Sequence, residues 1–186
     1  IGGFWSLLNP YSLVMGVTSL VLFTLHGAIF LALKSDGEVR ERSARVSASL
    51  AVAATGVMAI AMIWTYVLDD AGFVPGLLPI AAIVLLGVVI WLTRVAMFGW
   101  AFIGTGLTIV AVVAAIFTGM YPNVMTSTID PDYSLTVFNA SSTTLTLQIM
   151  SIVALIFVPI VLVYQSWSYW VFRKRVGPRD VTTSTH

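Results

Sequence analysis

The sequence predicts an all-α protein, a polytopic bundle of five transmembrane helices with its N-terminus outside the cell and its C-terminus in the cytoplasm. Of its 186 residues, 59% are hydrophobic and only 9% are charged, whereas about 25% of residues are charged in a typical soluble domain. The apolar residues form five long runs, and the loops between them alternate in charge. A water-soluble fold cannot cover its apolar surface with so few charges, so the chain is predicted to be an integral membrane protein.

The five runs are each close to the ~20 residues that a helix needs to cross the hydrocarbon layer. The turn-type pair Asn9-Pro10 precedes the first run, where proline suits the first helical turn. Pro75, Gly76 and Pro79 open the third run. Within one transmembrane domain covering residues 1–186, the predicted spans are 11–33, 46–68, 77–93, 100–119 and 145–172.

The loop charges predict the topology. Basic residues mark the segment 34–45, Arg94 and the segment 173–179, whereas acidic residues without basic partners mark Asp69–Asp70 and Asp130–Asp132. The two kinds of loop alternate along the chain, and cytoplasmic loops carry an excess of lysine and arginine. The N-terminus is therefore predicted outside and the C-terminus inside.

The fifth run has a polar start, an apolar body, an aromatic cluster that includes Trp167, and a basic end. Asn139 opens the polar start, which is rich in N-cap residue types. Pro159 is expected to kink the helix, because it cannot donate to the carbonyl of residue 155. Gln148 and Ser151 are expected to hydrogen-bond to other helices, with a pore lining as the alternative.

Small residues at helical spacing predict packed faces, because small side chains let helix backbones approach closely in lipid. Glycine and alanine are also simply common in membrane helices, and that would explain each stripe taken alone. The three stripes are Ser12, Gly16, Ser19 and His26 in the first span; Ser47, Ala51, Ala54, Ala61 and Thr65 in the second; and Gly104, Thr108, Ala111 and Ala115 in the fourth.

Two ionisable residues are candidates for function. His26 lies inside the first span, and an ionisable group at such a depth is a functional candidate by default. It is interpreted as a buried neutral imidazole bonded to another helix, as a proton-relay member, or as a haem ligand. Arg94 is interpreted as a topology anchor at the membrane surface, or as a partner for a carboxylate, propionate or phosphate on another subunit.

The sequence lacks the residues or patterns that several classes of functional site require. The chain has no cysteine, which excludes disulfides, thiolate metal sites and cysteine-linked haem. No nucleophile–base pair, glycine-rich phosphate loop, metal-ligand cluster or intramembrane carboxylate pair is present. We therefore predict no catalytic residue, no metal site, no cofactor held confidently by this chain (His26 is the weak candidate) and no nucleic-acid partner.

Three segments carry a family resemblance. They are Asn9-Pro10-Tyr11-Ser12-Leu13 continuing to Leu25-His26-Gly27-Ala28; Thr93-Arg94 leading to Gly99-Trp100; and Tyr121-Pro122 with Asn139-Ala140-Ser141-Ser142, Pro159 and Trp167-Ser168-Tyr169-Trp170. Together they resemble the second half of subunit II of the cytochrome bd-type quinol oxidases.

The resemblance implies a terminal oxidase of the bacterial cytoplasmic membrane that oxidises quinol and reduces dioxygen to water. In that family the b-type haems, haem d and the quinol loop belong to subunit I, and subunit II is its scaffold and assembly partner. The family's subunit has eight helices in two four-helix repeats. The five spans fit helices four to eight, so the N-terminal half of the subunit is absent, together with the acidic residues proposed there to conduct protons.

The partners implied are subunit I, a small accessory single-helix subunit, membrane lipid and quinone. The family carries histidine or another polar residue at the position of His26, which favours the structural interpretation of this residue. The interface or structural candidates are Asn9, Pro10, His26, Gly27, Arg94, Asn139, Gln148, Pro159 and Trp167.

The alternative function is a transporter or channel half-module without a redox role. It would use His26, Gln148 and the helix interrupted by Pro159 as a polar site near the membrane midplane.

Overall fold

The computed structural model describes residues 8–68, 77–125, 127 and 130–174. In these ranges the helices are α1 (Pro10–Lys34), α2 (Glu38–Leu68), α3 (Leu77–Arg94), α4 (Phe98–Met120) and α5 (Thr144–Val171), and the strands are β1 (Asn123–Met125) and β2 (Leu135–Thr136). All five helices are long and apolar enough to cross a membrane. The predicted fold class is confirmed, while the orientation of the termini and the span limits stay predictions.

Some of the predicted features lie outside the described residues. They are the acidic turn at Asp69–Asp70, the helix-opening Pro75 and Gly76, and the basic residues beyond Lys174. The chain divides into two compact units, one holding α1 to α4 and one holding residues 120–174. Each unit is described by itself below.

Helix α2 begins inside the segment that was expected to be a loop. The α1–α2 connection is short and includes Gly37, whose φ of 67° favours glycine. Glu38 and Glu41 then occupy the first turn of α2, where negative charge is stabilised by the helix dipole. Glu38 also pairs with Arg42 one turn later. These local interactions carry the helix from Glu38 to the predicted start of the apolar span.

Small residues form the packed faces of α2 and α4, as predicted. Ser47, Ala51, Ala54 and Ala61 are buried on α2, and so are all four stripe residues of α4. The prediction for α1 is wrong, because Ser12, Gly16 and Ser19 are exposed in the four-helix unit. The buried face of α1 mixes large and small side chains: Thr18, Leu22, Leu25, Ala28, Ile29 and Ala32. The three large ones belong to one apolar cluster with Ala51 and Ala54 of α2.

Helices α3 and α4 approach closely at Gly104. A Cβ atom placed on Gly104 would lie 2.9 Å from Cγ2 of Val89, closer than two carbon atoms normally approach. Residues 95–97 join the two helices, and Ala96 in this turn has a φ of 58°. The four-helix unit therefore contains a tight hairpin whose packing depends on the missing side chain of Gly104.

The second unit holds a small antiparallel strand pair that the sequence analysis did not predict. Asn123 faces Thr136 and Met125 faces Leu135, with an irregular register between the two pairs. The strands have only three and two residues. Strands this short are too brief to show the alternation of apolar and polar residues by which strands are predicted.

Replacing Gly104 by alanine is expected to destabilise the four-helix unit by about 1–3 kcal/mol, the usual cost of overpacking. Val89 is β-branched and has little freedom to turn its methyl group aside. The measurement is the midpoint of thermal unfolding of the detergent-solubilised protein. The matched control is Gly87→Ala on α3, where a Cβ meets nothing within 4 Å.

The double variant Val89→Ala/Gly104→Ala removes the methyl group that the new Cβ would meet. It is expected to unfold at a higher temperature than Gly104→Ala alone. A Gly104→Ala protein as stable as the Gly87→Ala control would contradict the close approach.

Candidate functional site

The polar centre of the four-helix unit is His26 on α1. Its Nδ1 atom lies 2.7 Å from Oγ1 of Thr105 on α4. The imidazole also stacks on Phe102, with the ring centroids 4.4 Å apart and the planes 24° from parallel. Thr105 is fully buried and His26 is half-buried. The ring is thus fixed by one hydrogen bond and one stacked contact, both with α4.

The hydroxyl of Thr105 has one proton to donate but three polar atoms within hydrogen-bond distance. Besides Nδ1 of His26, the carbonyl oxygens of Ala101 and Phe102 lie 3.1 Å and 3.0 Å from Oγ1. If the hydroxyl donates to a carbonyl, Nδ1 donates to the hydroxyl; if it donates to Nδ1, the imidazole proton is on Nε2. In both cases no described residue makes a hydrogen bond with Nε2.

The surroundings of His26 do not fit a six-coordinate haem, which requires a second axial ligand. The described side chains that contact the ring, Phe102 and Thr105, supply no nitrogen or sulfur ligand. Across the described residues there is also no group of three or more histidine, cysteine, aspartate or glutamate side chains that could hold a metal ion. The geometry agrees best with the interpretation of His26 as a hydrogen-bonded link between helices.

An apolar groove lies between α1 and α4, nearer the start of α1 than His26. It has a cavity volume of about 80 Å³ and is lined by residues that include Leu22, Phe23 and Ile109. Its two hydroxyl groups, on Thr18 and Ser19, donate to carbonyl oxygens of their own helix. The groove therefore offers apolar contacts rather than hydrogen bonds.

Asn9 and Pro10 form the start of α1, as their types predict. The Asn9 Oδ1 accepts from the backbone N–H of Ser12 at 2.7 Å, and Pro10 occupies the first turn. In the same turn, the Tyr11 hydroxyl lies 3.0 Å from Oγ1 of Thr65 on α2. This second link between helices was missed, because tyrosine near a membrane surface is usually interpreted as an interface anchor.

Gly27 and Arg94 make few contacts. A Cβ on Gly27 would meet nothing within 4 Å, so a close approach inside the four-helix unit does not explain this glycine. Arg94 is the exposed last residue of α3. That position suits an anchor at the membrane surface, since the long arginine side chain can reach the headgroups from a helix end.

Within the polar start of the fifth run, Asn139 bonds to the segment before α5 rather than to α5 itself. Its Oδ1 accepts from the backbone N–H of Thr136 at 2.6 Å, and its Nδ2 donates to the carbonyl of Ser134 at 3.2 Å. Thr143 is the N-cap residue, without a side-chain cap bond. Asn139 therefore holds the turn that follows β2.

The remaining candidates lie on α5. Gln148 is exposed and makes no hydrogen bond with a described residue, whereas Ser151 donates to the carbonyl of Leu147 in its own helix. The bond from Ser151 to another helix stays a prediction. Pro159 lies inside α5. Trp167 is exposed, with its ring 6.3 Å from that of Tyr164.

Within the four-helix unit, the candidates that lie together are sequence neighbours, His26 with Gly27 and Asn9 with Pro10. Two helix ends of the same unit hold candidates: Asn9 and Pro10 start α1, and Arg94 ends α3. The second unit holds the remaining candidates, Asn139, Gln148, Pro159 and Trp167. The residues that sequence reasoning missed are Thr105 and Phe102, the partners of His26. The buried stripe of α4 pointed to its packed face but not to this contact.

Comparison with known proteins gives a consistent result. The model of the family described as cytochrome bd terminal oxidase subunit II matches residues 1–172. The cytochrome bd ubiquinol oxidase subunit 2 of Bacillus subtilis is 35% identical over 95% of this chain and 53% of its own length. The cytochrome bd-I ubiquinol oxidase subunit 2 of Escherichia coli K12 is 30% identical over 100% of this chain and 58% of its own length.

A third relative is the probable cytochrome oxidase subunit 2 of Haemophilus influenzae, which is 29% identical over 100% of this chain and 57% of its own length. The chain thus spans about half the length of the curated relatives it matches. Five helices able to cross a membrane and a family match over residues 1–172 agree with each other. The chain belongs to the cytochrome bd terminal oxidase subunit II family.

Proposed function

We propose that this chain acts as part of subunit II of a cytochrome bd-type terminal oxidase, a complex that oxidises quinol and reduces dioxygen to water. The observation that carries the proposal is the family match over residues 1–172. Relatives from two bacteria bear the name ubiquinol oxidase subunit 2. The chain is a multi-pass protein of the bacterial cytoplasmic membrane.

Within that complex we assign the chain a scaffold role beside subunit I, with no catalytic step of its own. Two polar side chains of α1 link it to other helices. The Tyr11 hydroxyl bonds α2, and Nδ1 of His26 bonds α4. The b-type haems and haem d expected for the complex would then be held by subunit I, which also provides the quinol site.

Two further partners are proposed on the resemblance alone, a small single-helix accessory subunit and bound lipid or quinone. The transporter alternative is not favoured, because the relatives are oxidase subunits. No observation on the described residues supports a solute site that joins His26 and Gln148.

The topology is part of the proposal. The basic residues Lys34, Arg94, Arg173 and Lys174 lie at or just past helix ends, and Asp130 and Asp132 lie in the segment before α5. By the positive-inside rule the first set is cytoplasmic and the second is outside. In the proposed topology the strand pair lies on the outer side of the membrane, where the family is expected to oxidise quinol.

The proposed function is tested by a reduced-minus-oxidised absorption spectrum of the native complex, isolated through the C-terminus of this chain. We expect a haem d band and b-type haem bands, together with a larger co-purifying subunit. Haem staining after electrophoresis should assign the b-type haems to that larger subunit. A preparation without haem bands would overturn the proposal if two conditions hold. The membranes must contain the bands before extraction, and the bands must be recovered in the fractions that lack this chain.

The structural role of His26 is tested with matched variants. Thr105→Val removes the hydroxyl that bonds His26, and it is expected to cost about 0.6–1.7 kcal/mol, as such bonds do in membranes. His26→Ala also removes the contact with Phe102 and should cost more. The measurement is the midpoint of thermal unfolding, and both variants should keep the haem bands of the complex.

The control is Thr24→Val, because the exposed Thr24 hydroxyl bonds only the carbonyl of Leu20 in its own helix. Loss of one haem band in His26→Ala with the complex intact would show instead that His26 is a haem ligand.

The topology is tested with single cysteines, which the chain otherwise lacks. A cysteine at Asp132, which is exposed near the strand pair, is expected to react with a membrane-impermeant maleimide in intact spheroplasts. A cysteine at Glu41, exposed in the first turns of α2, should react only after the membrane is opened. The opposite labelling pattern would reverse the assigned orientation.

A further inference from the structure

We draw no further inference here: the strongest candidate, the apolar groove of about 80 Å³ between α1 and α4 beside Thr18, Leu22 and Ile109, suits a lipid chain and an apolar side chain of another helix equally well, and nothing in the described structure shows what covers it.

Discussion

The structure depends on the absence of water from the hydrocarbon layer. A polar group there must find a partner within the protein, and the hydroxyl side chains of the helices do so by a repeated local solution. Eight described threonines have their hydroxyl within hydrogen-bond distance of the carbonyl oxygen four residues earlier in the same helix: Thr18, Thr24, Thr55, Thr65, Thr93, Thr105, Thr108 and Thr118. These side chains are thereby made compatible with an apolar environment, and only some are left to link one helix to another.

Thr65 and Thr105 show how a locally satisfied hydroxyl also joins two helices. Both donate or can donate within their own helix, and both lie within 3.0 Å of a polar atom on α1. Tyr11 and His26 thus attach α1 to α2 near one end and to α4 deeper in the unit. Between these links the helices are held by close contact of small and apolar residues, such as Ala54 on α2, where van der Waals packing replaces the hydrophobic effect.

Much of this was predictable from sequence, and the reasons are physical. Five apolar runs predict five membrane-length helices, because a span of lipid fixes the minimum length of each. The small-residue faces of α2 and α4 were predictable because their buried positions recur at helical spacing. The same reasoning failed for α1, since a stripe of Ser12, Gly16 and Ser19 shows where close packing is possible but not whether a neighbouring helix uses it.

The candidate site was predictable only in part. His26 is identifiable as the ionisable group within an apolar run, but Thr105 is 79 residues away in sequence, and no local pattern connects them. The polar start that Asn139 opens was predicted to be rich in N-cap residue types, but the sequence did not indicate that the side chain of Asn139 bonds within a turn after β2. Residue type indicates what bonds a side chain can make, and only the fold determines with which partner.

The short turn between α3 and α4 has a consequence for how far the two helices can separate. Residues 95–97 separate the two helices, and three residues reach at most about 10 Å when fully extended, far less than the ~30 Å of the hydrocarbon core. The turn therefore cannot cross the bilayer, and the end of α3 lies at the same membrane surface as the start of α4. The two helices cross the bilayer in opposite directions as one hairpin, and they can move apart only at the ends remote from the turn.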